Sequence, residues 1–352
     1  MKLTNLVDES LLRDSCRQPV AGSELAHDFL TMMDKWHSYK EIWDDDLDAD
    51  ILRMNLEILT TNRKKLDWGP KGTGYFTPSS SSSDARELYM KLTKAPRDEQ
   101  EIAPHQKRWQ RAGTAFGDII QDDLLYINKH YISEFKEQPT YRPEFVDLNG
   151  KLYPSWERFA RKIMWVKHRG HQIPILGQPD GILWHHTGKR VGLEIKTKQT
   201  TAARTSHYSM REPSQDHIKQ CICYSIMYGV DDYLIVYGNL AKKAWNMTKE
   251  DYEKTPDLRV FHIKITDEDR KGLLDFFADI LDCIDAGIPP KLDLDKWMFN
   301  NFKTACALSL SQDELTEITQ QVSNVSKSQL PEWKKRQYTE ALEFINEVRS
   351  NS

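Results

Sequence analysis

Long apolar runs are missing from this chain. No stretch of its 352 residues approaches the ~20 consecutive apolar residues that cross a bilayer. Residues 1–10 are polar and acidic, where a signal peptide is basic and then apolar. Both absences point to a cytoplasmic protein with no membrane partner. Cysteine is also scarce. Cys16, Cys221, Cys223, Cys283 and Cys306 are scattered and odd in number, which excludes a disulfide framework and suits reduced thiols in a reducing compartment. No internal repeat occurs. The glycines of residues 69–74 are followed by no Gly-Lys-Ser/Thr and preceded by no strand, so they do not form a phosphate loop. Net charge is only −4, which by itself argues neither for nor against a nucleic-acid partner.

The distribution of charge says more than its total. Residues 151–220 hold 13 lysines and arginines against 5 acids, a local excess of +8 in an otherwise acidic chain. A basic segment of this kind suits a polyanion, because neutralising phosphates dominates nucleic-acid affinity. With 39% hydrophobic and 29% charged residues, the chain is long enough for a sizeable core and one or two domains.

The basic segment surrounds Gly177-Gln178-Pro179-Asp180-Gly181-Ile182 and, after a short turn, Val191-Gly192-Leu193-Glu194-Ile195-Lys196. Residues 174–185 and 189–197 alternate as two β-strands do, and His186-Thr187-Gly188 makes a three-residue hairpin loop with glycine at its left-handed position. Closing that loop with His185 opposite Lys189 sets Asp180 across from Glu194. The period of two then puts Asp180, Glu194 and Lys196 on one face, and Leu183, Val191, Leu193 and Ile195 on the other, in a core. Two carboxylates beside an ammonium suit a hard divalent cation: the ion lowers the pKa of a bound water, and the lysine orients that water or neutralises developing charge. Phosphodiester hydrolysis is the reaction this chemistry serves. An ion pair on a hairpin is the plainer reading of the same spacing.

Pro179-Asp180, a strand-turn-strand spacer and Glu194-Ile195-Lys196 resemble the PD-(D/E)xK nuclease signature. Residues 214–228 read as a helix whose His217, Gln220, Tyr224 and Tyr228 form one polar-aromatic stripe beside an apolar stripe of Ile218, Cys221, Ile222 and Ile226. Gln220-x-x-x-Tyr224 is similar to the QxxxY motif of the RecB-like and lambda-exonuclease-like branch of that superfamily. The resemblance covers roughly residues 106–290. It implies an α/β fold with a restriction-endonuclease-like core, in which a central mixed sheet of four or five strands is flanked by helices, with helical additions at both ends. It further implies two Mg²⁺ or Mn²⁺ ions held by Asp180 and Glu194 with the Ile195 carbonyl, Lys196 positioning the nucleophilic water, and Gln220 and Tyr224 supporting the site or the strand being cut. In these families the helix before the sheet carries a glycine followed four residues on by His or Glu. Counting from Gly113 reaches Gly117, which cannot ligate, and leaves Asp118 or Asp122 to complete the metal site. Some members hold an iron-sulfur cluster; this chain lacks the tight C-terminal cysteine group such a cluster needs, so none is expected.

The polar loop 198–212 leaves the edge of the site with Lys198, Arg204, His207 and Arg211, and with His217 on the following helix these are the candidate DNA contacts. Residues 1–104 read as a helical region with a flexible loop at 68–83, residues 105–290 as the nuclease core, and residues 291–352 as a helical C-terminal region. Asp84 with Glu87 and Ser311 with Glu314 make capping boxes. Asp44 to Asp50 is an acidic helix start: Ala49 stands where a calcium loop requires glycine. The expected activity is that of a metal-dependent DNA exonuclease of recombination, repair or phage DNA processing, in the bacterial host cytoplasm if phage-encoded, with a single-strand annealing or recombination protein as partner. The alternatives are an endonuclease of resolvase or restriction type, a non-catalytic DNA-binding subunit, and a sugar-processing enzyme using two carboxylates as acid and base.

Overall fold

The computed structural model describes residues 22–61, 65–99, 101–241 and 244–351. Residues 1–10 and Cys16 lie outside them. In chain order the elements begin with helices α1 (Glu24–His37), α2 (Asp45–Leu59), α3 (Ala85–Leu92) and α4 (Pro104–Phe135). Strands β1 (Tyr141–Pro143), β2 (Phe145–Leu148) and β3 (Lys151–Pro154) lead to the short α5 (Glu157–Ala160). Then come β4 (Lys162–His168), β5 (His171–Gly177), β6 (Gly181–His185), β7 (Arg190–Lys198), α6 (Gln215–Tyr228) and β8 (Asp232–Asn239). After α7 (Lys249–Lys254), β9 (Leu258–Lys264) and α8 (Asp267–Ala286), the chain ends in α9 (Lys303–Leu308), α10 (Gln312–Ser326) and α11 (Glu332–Ser350).

The centre is a five-stranded mixed sheet of order β1-β6-β7-β8-β9, in which β7 and β8 are parallel and the other pairs antiparallel. The parallel pair needs a crossover, and α6 supplies it. Alternation then assigns the faces. Leu183, Val191, Leu193, Ile195, Leu234 and Val236 pack with Phe29 and Met33 of α1 and Ile120 and Leu124 of α4. Ile182, Tyr233, Ile235 and Tyr237 pack with Ile218, Cys221 and Met227 of α6 and Phe277 of α8. A third cluster joins Met90 of α3 to Trp297, Ile318 and Ile345 of the C-terminal helices.

The hairpin pairs as its loop length requires: Gly181 lies opposite Leu193, and His185 N–H donates to the Lys189 carbonyl at 2.9 Å. The strand read as continuous over 174–185 is instead broken at Gln178-Pro179-Asp180. Its first half, β5, pairs with β4 in a separate two-stranded sheet, turned at Arg169-Gly170, and only β6 enters the central one. Proline has no N–H for a ladder, and the break frees Asp180 from strand pairing. The segment read as a flexible loop, 68–83, is also tied down. Phe76 bridges Ile175, donating to the Pro174 carbonyl at 3.0 Å and accepting from Leu176 N–H at 2.9 Å, and Ser81 is fully buried. Asp84 caps α3 by accepting from Glu87 N–H. Cys221, Cys223, Cys283 and Cys306 are unpaired and buried. Among the described residues no helix is long and apolar enough to cross a membrane.

Gly192 sits beside Glu194 on β7 because Tyr233 lies flat against it: a Cβ there would stand 2.1 Å from the Tyr233 ring. The ring is buried in the cluster shared by the sheet and α6, with little room to give. Gly192→Ala is therefore expected to destabilise the protein by about 1–3 kcal/mol through overpacking, read as a lowered denaturant midpoint in chemical unfolding.

Candidate metal and nucleic-acid site

Asp180, Glu194 and Lys196 meet on the sheet face that α6 covers. Asp180 stands just before the first paired residue, Gly181 opposite Leu193, close enough to Glu194 to act on its charge, and one Asp180 oxygen, Oδ2, accepts the Ile195 backbone N–H at 2.7 Å. Glu194 has no exposed surface. Its Oε1 meets the Lys196 ammonium in an ion pair, and its Oε2 has no hydrogen-bond partner. Lys196 Nζ also donates to Gln220 Oε1 at 3.1 Å. A buried carboxylate oxygen without a partner is rare in a folded protein and calls for an explanation, an ion being one. The donors fit: they are oxygens, suited to Mg²⁺ or Mn²⁺, and the Ile195 carbonyl adjoins them in sequence.

Burial, then the neighbouring Asp180, pushes the Glu194 carboxyl up to about 8. Burial likewise raises Asp180, with Lys196 and the Ile195 N–H opposing. Lys196 loses by burial but gains more from Glu194 and Asp180 together, so its pKa rises and it stays charged.

The Asp180 segment is gripped by its carbonyls. Tyr224 OH donates to the Gln178 carbonyl at 2.6 Å, and Tyr228 OH to those of Ala160 at 2.9 Å and Gly177 at 3.3 Å. Gln121 of α4, buried, donates to the Asp180 carbonyl itself at 2.8 Å. The sequence reading missed Gln121 because it counted from Gly113; four residues on from Gly117 lands on it. Asp118 and Asp122 are exposed. Asp118 is near enough to act on Glu157, whereas the charged groups around Asp122 are Asp118, Asp123 and Asp48.

Glu157 is a second residue the sequence did not reveal. Its backbone lies in the left-handed region at φ +44°, unusual for a side chain of this kind, and its N–H donates to the Pro179 carbonyl at 2.8 Å. Its carboxylate accepts from Gln178. Burial, then Asp180 and Asp118, pushes its pKa up to about 7. Among the described residues these acids do not bring three ligand atoms within 4.8 Å of one another, and Lys196 and the Ile195 N–H engage one oxygen each of Glu194 and Asp180.

Beyond Lys196 a cleft of about 470 Å³ opens along the end of β7, lined by Trp109, Lys198, Arg204, Ser209, Ser214 and Tyr237 among others. Asn239 pins the turn that carries Arg204, reaching the carbonyls of Thr201 and Ala202 at 3.0 Å. Lys198 lies over the Tyr237 ring, and burial, then Arg204 and Lys196, lowers its pKa. His207 and Arg211 are exposed away from this lining, Arg211 over the ring of Tyr208. His217 differs from its expected part. Its Nδ1 is 2.6 Å from Tyr237 OH, and burial with Lys196 and Lys198 nearby pushes it down to about 3, so it remains neutral and brings no charge to a phosphate. Part of the basic excess is also answered internally: Arg169 pairs with Asp279 and Asp282 of α8.

No protein-family model matches the chain, and no curated protein matches it. Solved structures that resemble it include SSO0001, 16% identical with a TM-score of 0.33, covering 75% of this chain and 98% of that one. Another is the alkaline exonuclease LHK-Exo from Laribacter hongkongensis, 15% identical with a TM-score of 0.34, covering 60% of this chain and 91% of that one. Its complex with dAMP matches at 14% identity with a TM-score of 0.31, over 61% and 90%. Likeness of this degree carries no functional information for the chain.

The raised carboxyl has a sign that can be tested. A folded-state pKa of about 8 against an ordinary value of 4.5 means that the folded protein holds a proton which the unfolded chain releases. Stability of the metal-free protein therefore falls as pH rises through that interval. Glu194→Gln removes the effect, so in EDTA it should stabilise the protein more at pH 8 than at pH 5, measured by chemical unfolding at both.

Proposed function

We propose that this chain is a nuclease that hydrolyses DNA with divalent metal ions, on a restriction-endonuclease-like core. The observation that carries the reading is the buried Glu194, with one oxygen unpartnered, near Asp180 and beside a charged Lys196. Asp180, Glu194 and the Ile195 carbonyl would hold the ions, two Mg²⁺ or Mn²⁺. When bound, such ions lower the pKa of a water and neutralise the phosphate under attack.

The chain's own residues do the rest. Lys196 keeps its proton, so it orients the attacking water and offsets charge on the phosphate rather than acting as a base. Gln220 fixes the lysine's ammonium, since its Oε1 accepts one of the three protons. Tyr224, Tyr228 and Gln121 hold the backbone from which Asp180 projects. Glu157 supplies a further carboxylate near Asp180, where α4 presents Gln121 instead of an acid, and Asp118 of α4 lies behind it. Lys198 and Arg204 line the cleft that continues from Lys196 and receive the phosphates of the strand, while the exposed Trp109 offers a stacking face. Exonuclease action is the preferred form on the resemblance of the motifs; an endonuclease would use the same residues. Recombination, repair or phage DNA processing is the setting that resemblance implies.

One observation favours a second reading. Gln121 occupies the α4 position that packs on Asp180, where a carboxylate would ligate, and a DNA-binding subunit without turnover would tolerate that exchange. End-labelled single-stranded, double-stranded and circular DNA, incubated with Mg²⁺, Mn²⁺ or EDTA, separates these readings. Cleavage of linear substrates that requires metal and is abolished by Glu194→Ala is the expected result, with Lys196→Ala lowering the rate on the order of 10²–10³-fold and Gln220→Ala by less. Binding without cleavage would establish the second reading, and cutting of circles an endonuclease.

A further inference from the structure

The far end of the same hairpin carries an independent cluster. Strand alternation would send His185 and His186 to opposite faces, but the chain leaves β6 after His185. The turn is closed by Gly188 N–H donating to the His185 carbonyl at 2.9 Å, with Gly188 at φ +83°. His186 thereby swings back, and the two imidazoles lie with ring centroids 4.2 Å apart. Their Nε2 atoms face one oxygen: Asp28 Oδ2 of α1 is 3.0 Å from His185 and 3.5 Å from His186. Histidine-aspartate pairs recur in this protein, at His37, His130, His168, His171 and His262. Among the described residues Asp28 is the carboxylate that gathers two histidines.

We infer that Asp28, His185 and His186 form a binding site for a zinc-class transition metal, holding α1 to the tip of the β6–β7 hairpin. Three donor atoms within 4.8 Å of one another can close on a single ion. A tetrahedral centre with metal–nitrogen and metal–oxygen bonds of about 2.0–2.2 Å separates its ligands by roughly 3.3–3.5 Å, and 3.0 and 3.5 Å lie close to that spacing. The surroundings match those of a ligating imidazole. Without an ion His185 Nε2–H donates to Asp28 Oδ2 at 3.0 Å; an ion on Nε2 would shift the ring proton to Nδ1, which lies 2.8 Å from Thr187 Oγ1 and can donate to it. The site is braced on its other sides, Thr140 Oγ1 donating to the Asp28 carbonyl at 3.1 Å and His186 N–H to the Thr140 carbonyl at 2.8 Å. The His185 side chain is only 1% exposed, Asp28 19% and His186 46%. One flank is therefore sealed, and the other is open for an ion to enter and a water to complete the shell. Two imidazoles and a carboxylate favour Zn²⁺, Co²⁺ or Ni²⁺ over Mg²⁺. From Asp180 to His185 is five residues of extended chain, roughly 17 Å, so this ion would be separate from any held by the acids.

The test uses the full chain carrying Asp180→Asn and Glu194→Gln, so that the acidic site is silenced and its failure cannot be mistaken for failure here. That protein is titrated with Co²⁺, followed by visible absorption, then with Zn²⁺ in competition, and its thermal midpoint is recorded with Zn²⁺ and with EDTA. One equivalent of Co²⁺ with a four-coordinate spectrum, displaced by Zn²⁺, and a midpoint raised by Zn²⁺ are expected. Adding His186→Ala, at the most exposed ligand, should weaken binding at least tenfold and abolish the midpoint shift while leaving the far-UV circular dichroism unchanged. Adding Asp28→Asn should do the same where it folds. Absence of the Co²⁺ band, or equal Zn²⁺ affinity in the His186→Ala protein, would overturn the site and leave the three side chains as a hydrogen-bonded cluster.

Discussion

Glu194 is a carboxylate with no exposed surface and one oxygen unanswered, and the arrangement around it follows from that burial. Removing a charge from water is expensive unless the interior returns an equivalent. Here the return is incomplete. Lys196 engages one oxygen, and Gln220 in turn holds Lys196. Asp180 adds a second acid on the same face instead of relieving the first. The fold holds this conflict in place with hydrogen bonds to backbone carbonyls, from Tyr224, Tyr228 and Gln121, so the acids cannot relax apart. Without an ion a proton meets the conflict, since burial and Asp180 push the Glu194 carboxyl up to about 8.

The β6–β7 register, which leaves Asp180 beside Glu194, was legible because loop length and alternation together allow only one, and a shift by one residue would send Leu193 and Ile195 out of the core. The α6 helix was legible for a similar reason, with Ser214 at its start, Gly229 at its end and apolar residues at helical spacing between. What the sequence concealed has local physical causes. Alternation runs unbroken through residues 174–185, so the interruption at Gln178-Pro179-Asp180 left no mark in the pattern beyond the proline. Glu157 lies between two strands with no periodicity to single it out, and what distinguishes it, a left-handed backbone, is invisible in a list of residue types. The serines of residues 79–83 suggest a linker, yet Phe76 anchors the stretch beside β5, Ser80 bonds Thr77, and Ser81 donates to the Pro78 carbonyl.

Charge balance illustrates the same limit. An excess of +8 within residues 151–220 describes the chain, whereas a phosphate meets a surface. Arg169 and His168 face acids of α8, His217 is neutral, and Lys196 answers Glu194. The positive charge left along the cleft comes chiefly from Lys198 and Arg204, which share one wall because Asn239 fastens the intervening turn to the end of β8.

Arg86 has a bearing on how much of the chain is separable. It is 1% exposed in α3, its Nε donating to the Pro290 carbonyl at 2.6 Å and its guanidinium paired with Glu314 of α10. A chain cut after Pro290 would keep Asp180, Glu194, Lys196 and Gln220 and strip the carboxylate from a guanidinium lodged in the interior. The helices beyond that point thus supply the counterion of α3, and the contact between them is electrostatic as well as apolar.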